Sequence, residues 1–136
     1  MKYAKLKWAV SNDVLVSFAT QGVLEAKASD EVVHVLSTKP IRKYLVTTGG
    51  PGEMTSVQRT QIADVLSKKK ISVVVVTDET IVRHFVTALS WLGVDIKSFP
   101  WKDLRQAVQH LGMFGIHEER LVKVVRDLRE ATTMER

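Results

Sequence analysis

Hydroxyls and glycines gather at two places in this chain where an apolar run stops. The first is Thr47-Thr48-Gly49-Gly50-Pro51-Gly52, with Thr55 and Ser56 close behind; the second is Thr77-Asp78. If each run is a strand and each following segment a helix, both places are helix N-termini. Unpaired backbone N–H groups and the positive end of the helix dipole suit an anion there. Thr47, Thr48, Gly49, Gly50, Thr55, Ser56, Thr77 and Asp78 are therefore the candidate ligand- or partner-binding set. The string GGPGEMTS is not a P-loop, since no Gly-Lys-Ser/Thr follows it. Its glycine spacing does not fit GxGxxG, and Pro51 removes a donor. The competing reading of the same residues is a chain-reversing turn that feeds a capped helix. Asp78 likewise reads first as an N-cap and second as a ligand contact at a strand end.

No second constellation points to catalysis. His34, His84, His110 and His117 are scattered without metal-ligand spacing. Cysteine is absent, which removes thiolate metal sites, disulfides and a cysteine nucleophile. No G-x-S-x-G elbow precedes a helix. The expectation is a non-enzymatic chain with no metal and no cofactor. Trp91 and Trp101 read either as interface anchors or as seals at the core margin. Lys68-Lys69-Lys70 has no interleaved aromatic residue and no RNA-binding motif accompanies it. It reads as solvation of a helix end, so nucleic acid is not an expected partner.

The elements that must position these residues follow from periodicity. With 136 residues, 45% apolar and 26% charged, the chain has the length and composition of one globular domain. Its net charge of +5 allows weak attraction to phosphates or acidic proteins. Met1–Val10 alternates Lys with apolar residues and lacks a continuous signal-peptide core. The longest apolar run, Val73–Val76, is too short to span a bilayer. The expected location is cytoplasmic, with no membrane insertion. Ala4, Leu6, Trp8 and Val10, then Val14, Val16 and Phe18, alternate on either side of Ser11-Asn12-Asp13, which predicts a hairpin with Lys5 and Lys7 outward. Ala28–Thr38 predicts a helix capped by Ser29 or Asp30. Lys43–Thr48 and Ile71–Thr77 predict buried parallel strands. Thr55 and Gln58 match a capping box ahead of a helix whose stripe is Val57, Ile62, Val65 and Leu66. Asp78 should cap a helix with Ile81, Val82, Phe85, Val86, Leu89 and Leu92 inward, ended by Gly93. Ile96–Phe99 predicts a last strand, and Pro100 opens a helix burying Leu104, Ala107, Val108 and Leu111. Glu118–Ala131 predicts a helix with a stripe of Leu121, Val124, Val125 and Leu128, and Thr132–Arg136 should fray.

This order of elements, the strand ending in a Thr/Gly-rich loop, and the block TDETIVRHFVTALSWLGVDIKSFP followed by a helix resemble the STAS family. The likeness is greatest to the small stand-alone bacterial STAS-like proteins, akin in fold to the sporulation anti-anti-sigma factor and compared with lipid-binding CRAL-TRIO domains. It covers residues 2–112 in outline and is sharp over Tyr44–Pro51 and Ile71–Pro100. The resemblance implies an α/β fold: a mixed sheet of N-terminal hairpin plus parallel strands, with helices packed mainly on one face. It also implies action by binding another protein. In the anti-anti-sigma branch a serine in an Asp-Ser-x-Gly motif is phosphorylated. The corresponding Glu53-Met54-Thr55-Ser56-Val57 carries hydroxyls at Ser56 and Thr55 but neither the aspartate nor the glycine. Residues 1–112 form the STAS-like domain in this reading, and residues 113–136 a C-terminal helical extension. Its stripe, with Leu121, Val125 and Leu128 as interface candidates, packs on the domain or on the same helix of a second chain as a homodimer. The expected function is a protein-binding regulatory or scaffold module of the bacterial cytoplasm. The alternative is a small-ligand or anion-binding domain using the Thr/Gly-rich loop.

Overall fold

Val73–Val76 presents branched side chains to both sides of a strand, which requires cover on both. The computed structural model, which describes residues 2–134, meets that requirement. Its strands are β1 (Leu6–Ser11), β2 (Val14–Ala19), β3 (Gly22–Val23), β4 (Lys43–Thr48), β5 (Gly52–Glu53), β6 (Ser72–Val76) and β7 (Ile96–Phe99). Five of them form one sheet in the order β1-β2-β4-β6-β7, and β3 pairs with β5 separately. The hairpin β1–β2 is antiparallel, turning through Asn12 at φ 54°, and every later junction in the large sheet is parallel. The sheet is therefore mixed, with the hairpin built into it. Leu15, Tyr44, Val73 and Ile96 stand in one row across it.

The helices are α1 (Ala26–Thr38), α2 (Ser56–Lys68), α3 (Thr80–Trp91), α4 (Leu104–His110) and α5 (Ile116–Met134). Three of the five, α1 to α3, cover one face of the sheet, where Leu15, Tyr44, Val73 and Val75 meet Val32, Leu36, Leu66, Val86 and Leu89. The other two close the opposite face, where Val14, Val16, Leu45, Val74 and Val76 meet Ala107, Val108, Leu121, Val122 and Val125. Alternate residues of β2, β4 and β6 thus belong to two separate cores. Helix α5 lies on β1 and β2 and against α4, so residues beyond 112 supply Leu121, Val122 and Val125 to that second core. Leu121 and Val125 are buried within their own chain, and Leu128 is half-buried against the same cluster. The stripe packs on the sheet of its own chain.

Local signals fix several helix ends. Thr55 Oγ1 accepts from Gln58 N, and Gln58 Oε1 accepts from Thr55 N, which is the capping box expected for α2. Gly93 and Gly112 take φ of +90° and +79° just past α3 and α4. Other expectations need correction. Helix α1 begins at Ala26 with Glu25 before it. Ser29 lies inside it, buried, donating to Ala26 O and accepting from Gln58 Nε2. Asp78 does not cap α3; Glu79 holds that position without a side-chain bond. Val57 is 63% exposed, and its expected inward place on α2 belongs to Gln58 and Ala63. Ile81 and Leu92 are exposed on α3. Pro100 is followed by one 3-10 turn, Trp101–Asp103, before α4 starts. Helix α5 runs on to Met134, and Thr132 is buried with its hydroxyl donating to Leu128 O, so Thr132–Met134 does not fray. Glu135 and Arg136 lie outside the described residues.

Because Leu121 is 2% exposed and packs within its own chain, Leu121→Ala should lower unfolding free energy by about 2–5 kcal/mol in urea titration. Light scattering on the same variant should give the wild-type mass.

Candidate functional site

Strand β4 is central, flanked on both sides, yet its Val46 remains partly accessible while its neighbours Tyr44 and Leu45 are buried. The cause is a gap in the helical layer. Helix α1 packs on α2, whereas α3 leans on β7, and the two groups leave space above the middle of the sheet. That space is a partly open cavity of about 160 Å³. Its floor includes Ala19, Val46, Val75 and Ile96, and its roof comes from Ile62 and Leu66 of α2 with Val82, Phe85 and Leu89 of α3. The β3–β5 pair and Met54 close the strand-end side. Gly22 permits that closure: its φ is +135°, and a Cβ there would stand 2.7 Å from Lys2 O.

The cavity wall is chemically apolar despite four hydroxyl-bearing residues. Ser17 Oγ and Tyr44 OH bond each other at 2.9 Å. Thr48 Oγ1 donates to Thr77 Oγ1 at 2.8 Å, and Thr20 Oγ1 accepts from Lys5 N. Each polar group is therefore already engaged by protein. Burial pushes the Tyr44 phenol up to about 12, with the Ser17 hydrogen bond opposing it, so the ring keeps its proton. Glu53 is the one carboxylate in the lining, at its exposed border. Such a wall offers shape and dryness to a ligand and places no general base beside the neutral phenol.

The residues singled out from sequence are distributed differently. Thr47 points to the opposite face, fully buried, and its hydroxyl donates to Ser17 O. Thr48, Thr77, Asp78 and Trp101 do come together. Thr77 Oγ1 accepts from Glu79 N, Asp78 Oδ1 accepts from Trp101 N, and Trp101 Nε1 donates to Thr48 O at 2.7 Å. Phe18 and Arg129 flank the Trp101 ring. This knot satisfies its own donors and acceptors, so it ties the strand ends together and leaves little for an anion. Gly49 is pressed against it, since a Cβ there would lie 2.7 Å from Phe18 Cζ. Gly50 lines the cavity. The Thr55 hydroxyl is held in the capping box, and Ser56 is exposed at the first turn of α2. Trp91 is 83% exposed at the end of α3. All four histidines are exposed, and among the described residues no group of three or more His, Asp or Glu side chains could hold a metal ion.

Sequence reasoning missed Tyr44, Val46 and Phe85 as cavity residues. The available signal was a pair of hydroxyl residues, Ser17 and Tyr44, inside otherwise aliphatic strands. No family model matches the chain, and no curated protein matches it.

The Tyr44 phenol gives a test of the site's dryness. The folded chain holds this proton to about pH 12, while the unfolded chain releases it near 10. Its contribution is complete below pH 10 and is lost as pH rises toward 12, amounting to about 2–3 kcal/mol. Urea unfolding at pH 8 and pH 11.5 should show this alkaline loss in the wild type. Tyr44→Phe should lack that component.

Proposed function

We propose that the protein is a non-enzymatic binding module whose ligand is a small, largely apolar molecule held between the sheet and helices α2 and α3. The observation that carries this reading is the open ground over Val46 at the centre of an otherwise covered sheet. Central strand positions are normally the best packed in a domain. A void of about 160 Å³ there leaves aliphatic wall without packing partners. Its size is comparable to apolar cavities that accept a benzene-sized guest. The likeness to STAS-like proteins and to CRAL-TRIO domains supports the same reading at the level of fold.

The test uses toluene as probe. Saturating toluene should raise the thermal midpoint of the full chain by mass action. Val46→Phe, which fills the space, should raise the midpoint by itself by a few degrees and abolish the toluene response. No toluene response in the folded wild type would reject the cavity as a binding site.

A second reading, a protein-binding regulatory or scaffold role, draws on α3. Ile81, Ala88 and Leu92 recur at helical spacing on its outer side, with Trp91 beside them, and all four are exposed. Trp91→Ser combined with Leu92→Ser should abolish capture of a partner from host lysate while leaving the toluene response intact.

A further inference from the structure

Arg59 is not itself part of the cavity lining but touches a residue that is. It lies on α2 one turn before Ile62, and its guanidinium carbon sits 5.1 Å from the ring centroid of Phe85, a cavity residue of α3. The side chain is half-buried, yet no hydrogen-bond or ion-pair acceptor reaches it among the described residues. Arg105 provides the contrast, since its guanidinium is met by Glu118 and Glu119. A contact with an aromatic ring offers no hydrogen-bond acceptor and so leaves the guanidinium N–H groups unanswered. Those donors are spaced to meet an oxyanion in bidentate fashion. An apolar chamber with an unanswered planar cation over the ring of one of its lining residues, Phe85, matches an amphiphile.

We infer that the cavity binds a single-tailed amphiphile with a carboxylate head, its tail over Val46 and its head on Arg59. This rests on the cavity reading above. About 160 Å³ accommodates a tail of roughly six to eight carbons, judged against cavities that hold benzene. Glu53, the carboxylate of the lining, favours a monoanionic head over a doubly charged phosphate ester, because like charges near one site repel.

Calorimetric titration of the full chain with octanoate and with 1-octanol tests the assignment. Octanoate should bind the wild type about tenfold or more tighter than it binds Arg59→Met, which retains an apolar stem over Phe85. Octanol should bind both proteins alike. Arg59→Lys should restore part of the octanoate affinity, and Glu53→Gln should increase it. Equal octanoate affinity in wild type and Arg59→Met, with octanol still binding, overturns the head-group role while leaving the cavity reading standing. Octyl phosphate binding more tightly than octanoate overturns the carboxylate assignment. Binding of neither octanoate nor octanol to the wild type overturns the cavity reading along with the inference. Circular dichroism confirming that each variant is folded makes any loss attributable to the site.

Discussion

Because Val74 and Val76 face α4 and α5 while Val73 and Val75 face the other three helices, strand β6 is covered by helices on both sides. Its backbone must then be satisfied laterally, and β4 and β7 do this in parallel register on either side. Parallel neighbours in turn require crossover connections, and α2 and α3 are those connections. Both crossovers that flank β6 place their helices on the same face. The opposite face has to be covered by whatever chain remains after β7. Helices α4 and α5 meet that demand, so the C-terminal helix is a requirement of the sheet and not an appendage to it.

The same constraint explains where the packing is loose. On the face of α4 and α5, two helices connected through a short turn lie across the strands and seal Leu45, Val74 and Val76 completely. On the other face, α1 and α2 form one packed pair while α3 follows β7 outward. Strand β7 is the edge of the sheet, so the helix packed on it stands off from the central strands. The void over Val46 is the geometric remainder of that arrangement. Its polar neighbours, Ser17 with Tyr44 and Thr48 with Thr77, are paired off, which keeps the remainder apolar.

Sequence made the strands and several helix ends readable because those depend on local rules. A branched run names a buried strand, Thr55 with Gln58 names a helix start, and Gly93 and Gly112 sit where a left-handed residue must follow a helix. The lining of the site was far less readable. Period 3.6 assigns Val82, Phe85, Val86 and Leu89 to one inward face, but only Val86 and Leu89 are buried. How far α3 stands from α2 is a tertiary distance that no spacing encodes. Val57 shows the converse: an apolar residue in the first turn of α2 projects into solvent while the polar Gln58 is taken inside. The reason is that Gln58 Nε2 reaches Leu24 O and Ser29 Oγ, contacts with residues far away in sequence. The pairing of β3 with β5 was hidden for a similar reason, since a two-residue strand carries no pattern.

The docking of α5 on β1 and β2 joins the last helix of the chain to its first two strands. During synthesis on the ribosome those strands emerge long before the helix that will cover them. The aliphatic face made by Val14, Val16, Leu45, Val74 and Val76 therefore stays partly bare until Ile116–Met134 has emerged. Contacts of such long sequence separation form late, and uncovered strands are the surfaces on which nascent chains associate wrongly. The interval before α5 emerges is consequently when this face is most open to wrong association.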